Sequence, residues 1–103
     1  MEHLNKRACE ILSYVISILA DNLNPSKIIL FGSRAKEKFP QHADFDLAVD
    51  GEKPEIRKRR KIMEEIEGVC GLYGIDLVFL GSVDKRFKYI ILNTGKVVYE
   101  RKR

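Results

Sequence analysis

Three aspartates lie where an aspartate is costly. Asp44 and Asp46 flank Phe45 at the start of Asp44-Phe45-Asp46-Leu47-Ala48-Val49-Asp50, and Asp76 is the second residue of Ile75-Asp76-Leu77-Val78-Phe79-Leu80. Both runs read as strands, and an unpaired carboxylate inside an apolar strand is expensive to desolvate. Two residues apart on one strand, Asp44 and Asp46 point to the same face with Cα atoms about 7 Å apart, so their oxygens can converge on one divalent ion. If the strands pair, Asp76 completes the set. Carboxylates this close repel unless a cation neutralises them, and Mg²⁺ fits best because it takes a few carboxylates together with substrate phosphates. Upstream, Gly32-Ser33 ends another apolar run. Glycine lets backbone and ligand approach, the Ser33 hydroxyl donates, and free N–H groups at a helix start suit a phosphate, with Arg34 and Lys36 adding positive charge. A phosphate grip beside a carboxylate metal site is equipment for nucleotidyl transfer. One ion would activate the attacking oxygen, and a second, about 3.5–4 Å away, would steady the departing pyrophosphate.

Taken singly, each acid has a plainer role. Asp44 is then a strand-edge residue, Asp76 a turn residue after Gly74, and Asp50 a turn former before Gly51. The three acids together with Gly32-Ser33 at a fixed distance carry the chemical reading.

The elements that must position these groups follow from periodicity. Leu4, Ala8, Ile11, Leu12, Val15, Ile16 and Leu19 recur at the helical period, which predicts an amphipathic helix over residues 3–22, stopped by Asn22, Asn24 and Pro25. Lys27 to Phe31 is a buried strand rich in β-branched residues, and Arg34 to Lys38 makes about one helical turn before Pro40. The Asp44–Asp50 strand ends in a turn at Asp50-Gly51. Pro54 suits the first position of a helix reaching about Cys70, with Ile56, Met63, Ile66 and Cys70 as its inward stripe. A strand at Ile75–Leu80 follows, then a helix through Leu92 capped by Ser82 or Asp84, and a short strand at Lys96–Tyr99. The order αβ(α)βαβαβ predicts an α/β (α+β) fold, a small mixed sheet with helices packed on it.

At 103 residues, the chain reads as one domain, residues 1–103, with no internal repeat or linker. Hydrophobic residues make up 45% of it, enough for a core, and the 33% that are charged argue for a well-solvated surface. Nineteen Lys and Arg against fifteen Asp and Glu leave a net charge of +4, which permits an anionic partner without demanding one. The longest uncharged run, Ile11 to Ala20, is far short of the roughly 20 apolar residues of a membrane span. No secretory signal is visible, and Cys9 and Cys70 form neither a disulfide framework nor a metal-ligand spacing, so the cytoplasm is the expected compartment.

Gly32-Ser33, ten intervening residues and Asp44-Phe45-Asp46 resemble the Gly-Ser-x10-Asp-x-Asp signature of minimal nucleotidyltransferases, relatives of the DNA polymerase β superfamily. Asp76 matches the third acid that the family carries on a later strand. The resemblance runs along nearly the whole chain, through Phe87, Ile91 and Gly95-Lys96-Val97-Val98-Tyr99. It implies a nucleotidyltransferase-like fold with helices to one side of the sheet, and ATP bound with Mg²⁺, as two ions. Asp44, Asp46 and Asp76 would be the catalytic and metal-binding residues, Asp76 helping to activate the acceptor hydroxyl. Gly32, Ser33 and Arg34 would bind the nucleotide phosphates. Small members of this family are often antitoxins that attach AMP to a tyrosine of a HEPN-domain toxin, so the resemblance implies a protein adenylyltransferase with a HEPN-domain partner. The larger C-terminal domain of drug- and tRNA-modifying relatives has no counterpart in this sequence, which favours a protein acceptor. Where the family often has Ser before the first acid, this chain has Ala43, a position that supplies no metal ligand.

Two other readings predict different behaviour. A binding module would neutralise its partner by occlusion, its metal site inherited but idle. A nucleic-acid binder would use Arg57-Lys58-Arg59-Arg60-Lys61, but five consecutive helical residues circle more than a full turn, and Glu64, Glu65 and Glu67 stand ready for i,i+4 pairing, so this run reads as a solvated surface. His3 and His42 are isolated. The four tyrosines do not interleave with the basic run, which disfavours single-strand binding.

Overall fold

The computed structural model describes residues 6–32, 44–71 and 73–102. Helix α1, Lys6–Leu23, buries Ala8, Ile11, Leu12, Val15 and Leu19 of the expected stripe, with Ile16 half-buried and Leu4 outside the described residues. The Asn22 side-chain amide donates to the Ile18 carbonyl at 2.8 Å. Asn24 then takes a left-handed φ of 46°, a conformation asparagine tolerates better than most residues, and the helix stops. Strand β1 is Lys27–Phe31 and strand β2 is Phe45–Val49. The helical turn expected at Arg34 to Lys38 lies outside the described residues.

Helix α2, Ile56–Cys70, buries Ile62, Ile66 and Cys70 at i, i+4 and i+8. The expected stripe is corrected at its start, where Ile56 is 61% exposed and Ile62 takes the core position. Pro54 precedes the helix, and Glu55 is its N-cap. Strand β3 is Ile75–Phe79. Helix α3, Lys85–Thr94, is capped by Asp84, whose carboxylate accepts from the Phe87 N–H at 2.9 Å. Ser82, the other candidate cap, instead accepts from the Lys53 N–H. Strand β4, Lys96–Glu100, completes the described elements.

The sheet order is β3-β2-β1-β4. β1 runs antiparallel to both β2 and β4, while β2 and β3 are parallel, so the sheet is mixed as expected. Alternation along the strands gives the sheet two faces. Ile28, Leu30, Phe45, Leu47, Val49 and Phe79 join α1 and α2 in the larger core. Ile29 and Ala48 face the other way and meet Leu80 and Ile91 in a smaller core, with Phe31 and Phe87 beside it. Those two rings meet edge-on, centroids 5.8 Å apart. The helices therefore do not all lie to one side: α3 packs on the face opposite α1 and α2, the face that also carries Asp46. No helix among the described residues is long and apolar enough to cross a membrane.

Candidate active site

Strand register decides the site. In the parallel β2–β3 pair, Asp46 stands opposite Asp76, and in the antiparallel β1–β2 pair it stands opposite Phe31, one residue before Gly32. In-register partners on parallel strands project to the same face about 5 Å apart. Asp46 and Asp76 accordingly share a side-chain hydrogen bond. Asp44 sits immediately before β2, and its carboxylate lies against Gly74, the residue before β3. A Cβ at Gly74 would come within 2.5 Å of Asp44 Oδ1. The Phe45 N–H donates to the Gly74 carbonyl at 2.9 Å, which locks these two strand entrances together. Gly74 is thus a site-shaping residue, since a side chain there would displace the Asp44 carboxylate. Its spacing of two from Asp76 is the signal of this role in the sequence.

Gly32 turns the chain at the end of β1 with φ of 71°. A Cβ there would collide with the Asp46 carboxylate. Glycine is thus required both by the left-handed backbone and by the room that Asp46 occupies. Gly32→Ala is expected to cost about 1–2 kcal/mol of stability and to displace the Asp46 carboxylate. A denaturant titration checks the first effect. A native midpoint in the variant would show that neither demand is real. Ser33, Arg34, Lys36 and His42 lie outside the described residues.

The acids crowd one another. Burial raises the Asp46 carboxyl from its ordinary 3.8 to about 6, helped by the hydrogen bond and the negative charge of Asp76 and by the charge of Asp44. The folded chain therefore holds this proton more tightly than the unfolded chain does. The resulting stabilisation is complete below pH 3.8 and is lost as pH rises through about 6. With chelator present, the melting temperature of the native chain relative to Asp46→Asn is expected to fall from about pH 4 to about pH 7. A flat difference would show that Asp46 titrates normally.

Among the described residues, no three His, Cys, Asp or Glu side chains are gathered closely enough to form a ready metal cluster. Asp46 and Asp76 are paired, and Asp44 is turned towards Gly74, an arrangement suited to carboxylates that repel one another. The donor set nonetheless fits Mg²⁺: all-oxygen ligands, accumulated negative charge, and a carboxyl that gives up its proton more readily once a cation is near. A cavity of about 590 Å³ reaches Asp76 from the outer side of β3. Asp44, Asp46 and Asp76 would be the residues to hold such a cation.

The fold is similar to those of solved toxin–antitoxin proteins. A chain of a toxin–antitoxin complex crystallised with AMP-PNP matches with a TM-score of 0.71 and 24% identity over 87% of this chain and 73% of that one. A chain from the complex of tri-AMPylated Shewanella oneidensis HEPN toxin with MNT antitoxin matches at 0.68 and 22%, over 90% and 72%. A chain of the MntA–HepT toxin–antitoxin complex matches at 0.68 and 21%, over 90% and 73%. No curated protein matches the chain in sequence. The Polymerase beta, Nucleotidyltransferase family matches residues 14–103, a span that takes in both aspartate-bearing strands, the Gly32 turn and every described helix but the start of α1. The chain belongs to the polymerase β nucleotidyltransferase family.

Proposed function

We propose that this protein transfers AMP from ATP to a tyrosine hydroxyl of a HEPN-domain toxin and so acts as that toxin's antitoxin. The observation that carries the reading is the direct pairing of Asp46 with Asp76 on parallel strands, beside Asp44 and Gly32, in a chain of this family. The similar structures include a toxin–antitoxin complex with AMP-PNP and one whose HEPN toxin is tri-AMPylated.

In this reading, Gly32, Ser33 and Arg34 hold the triphosphate. Asp44 and Asp46, with Asp76, would hold Mg²⁺, which when bound offsets the charge developing on the phosphoryl oxygens. Asp76 takes the proton of the tyrosine hydroxyl. The tyrosine oxygen bonds to the α-phosphorus of ATP, the bond from that phosphorus to the bridging oxygen breaks, and pyrophosphate leaves with the electron pair. AMP remains on the tyrosine as a phosphodiester. One domain carries the chemistry, and the reading places it in the cytoplasm, where ATP and Mg²⁺ are at hand.

Incubation with α-labelled ATP, Mg²⁺ and the product of the adjacent gene tests the proposal. Label is expected on the neighbour's tyrosine with the native chain and not with Asp46→Ala. An unlabelled neighbour would refute transfer. A neighbour still neutralised by both Asp44→Ala and Asp46→Ala would show that occlusion alone suffices.

A further inference from the structure

We propose that the groove between α2 and the free edge of β3 binds an extended acidic segment of the protein that presents the acceptor hydroxyl. Among the described residues β3 ends the sheet, so alternate backbone N–H and C=O groups along Ile75–Phe79 face away from β2 with no described strand beside them. The groove, about 590 Å³, follows all five of these residues. Across from them it is lined by Ile56, Arg59, Arg60 and Met63 of α2. These four stand at i, i+3, i+4 and i+7, one face of the helix. The basic run is thereby divided: Arg59 and Arg60 line the groove, and Arg57, Lys58 and Lys61 do not.

Lys53 supplies a third cation to the same groove. Among the described residues the one ion pair within 4.0 Å joins Arg7 to Glu10, so no described acid is bound to these three cations. An unpaired strand edge recognises an extended backbone, Ile56 and Met63 offer apolar contact, and the cations favour acidic side chains. A single nucleic-acid strand is the poorer match. Phe79, the aromatic residue among the described lining of the groove, is only 3% exposed and presents no face for a base to stack on. Asp76 lines the same groove, so a segment docked along β3 brings its neighbouring side chains to the acid that accepts the tyrosine proton. In that last respect the inference rests on the AMP-transfer reading.

Fluorescence anisotropy of the full chain, without nucleotide, tests it with two probes: a labelled peptide alternating Glu and Val, and a single-stranded RNA of equal length. The peptide is expected to bind. Arg59→Glu with Arg60→Glu should weaken it about tenfold or more, while Arg57→Glu with Lys58→Glu, the same change of charge off the groove, should alter it by less than about twofold. Lys53→Glu reports independently should the first variant melt early. In transfer assays the groove variants should raise KM for the toxin about tenfold and leave kcat within about twofold. Equal weakening by both double variants, or tighter binding of the RNA than of the peptide, would overturn the proposal. A chain that binds the peptide yet transfers no AMP refutes the catalytic reading alone. A chain that transfers AMP with a KM indifferent to the groove variants refutes the docking alone.

Discussion

Asp46→Asn is expected to lower AMP transfer at least about a thousandfold, equivalent to about 4 kcal/mol of transition-state stabilisation. Asp46 occupies the centre of the site, opposite Asp76 on one strand and beside Gly32 on another. Asparagine keeps the shape and removes the charge, so the loss reports the electrostatic role and not a cavity. The same substitution should leave the chelator-treated protein as stable as the native chain or more so. The carboxyl it replaces is pushed up to about 6 by burial and by its neighbouring acids, and an amide can donate to Asp76 without that repulsion. Lost activity with retained stability marks a group kept for chemistry. Single-turnover labelling together with a thermal melt reads both quantities. Transfer within tenfold of native would remove Asp46 from the mechanism.

Phe45→Ala carries the largest expected effect on stability. Phe45 is fully buried in the larger core, and its ring lies 5.6 Å from that of Tyr73. Truncation to alanine removes buried area and leaves a cavity, a loss of about 3–5 kcal/mol. For a domain of this size that lowers the melting temperature by about 15–30 °C. The consequence reaches the site, because Phe45 anchors the β2 entrance between Asp44 and Asp46 and its N–H holds the Gly74 carbonyl. Native-like stability in the variant would mean that this strand entrance is held by something other than the apolar packing. The exposed Tyr14, at 59% accessible, is the matched control, with truncation expected to stay within about 0.5 kcal/mol.

Much of this architecture is legible in local patterns. The buried stripe of α1 is the periodic one, and the Asp84 cap of α3, one of two candidates in the sequence, follows from side-chain chemistry within a turn of the helix start. Ile56 fails the same logic. It has the right spacing for the α2 stripe but lies before the helix reaches the larger core. The division of Arg57–Lys61 was equally out of reach, since a circling run acquires a functional face only when a neighbouring element chooses it.

By itself, the sequence determined the residue types of the site, the common face of Asp44 and Asp46, and the glycine that ends β1, because side-chain alternation and backbone permissiveness are local properties. Tertiary structure alone decided that Asp46 pairs with Asp76, that Asp44 turns to Gly74, that α3 shares the aspartate face, and that β3 is left at the sheet's edge. Register and strand order are set by which apolar faces can be buried together, and a shift of one residue along β2 would send Asp46 to the opposite face.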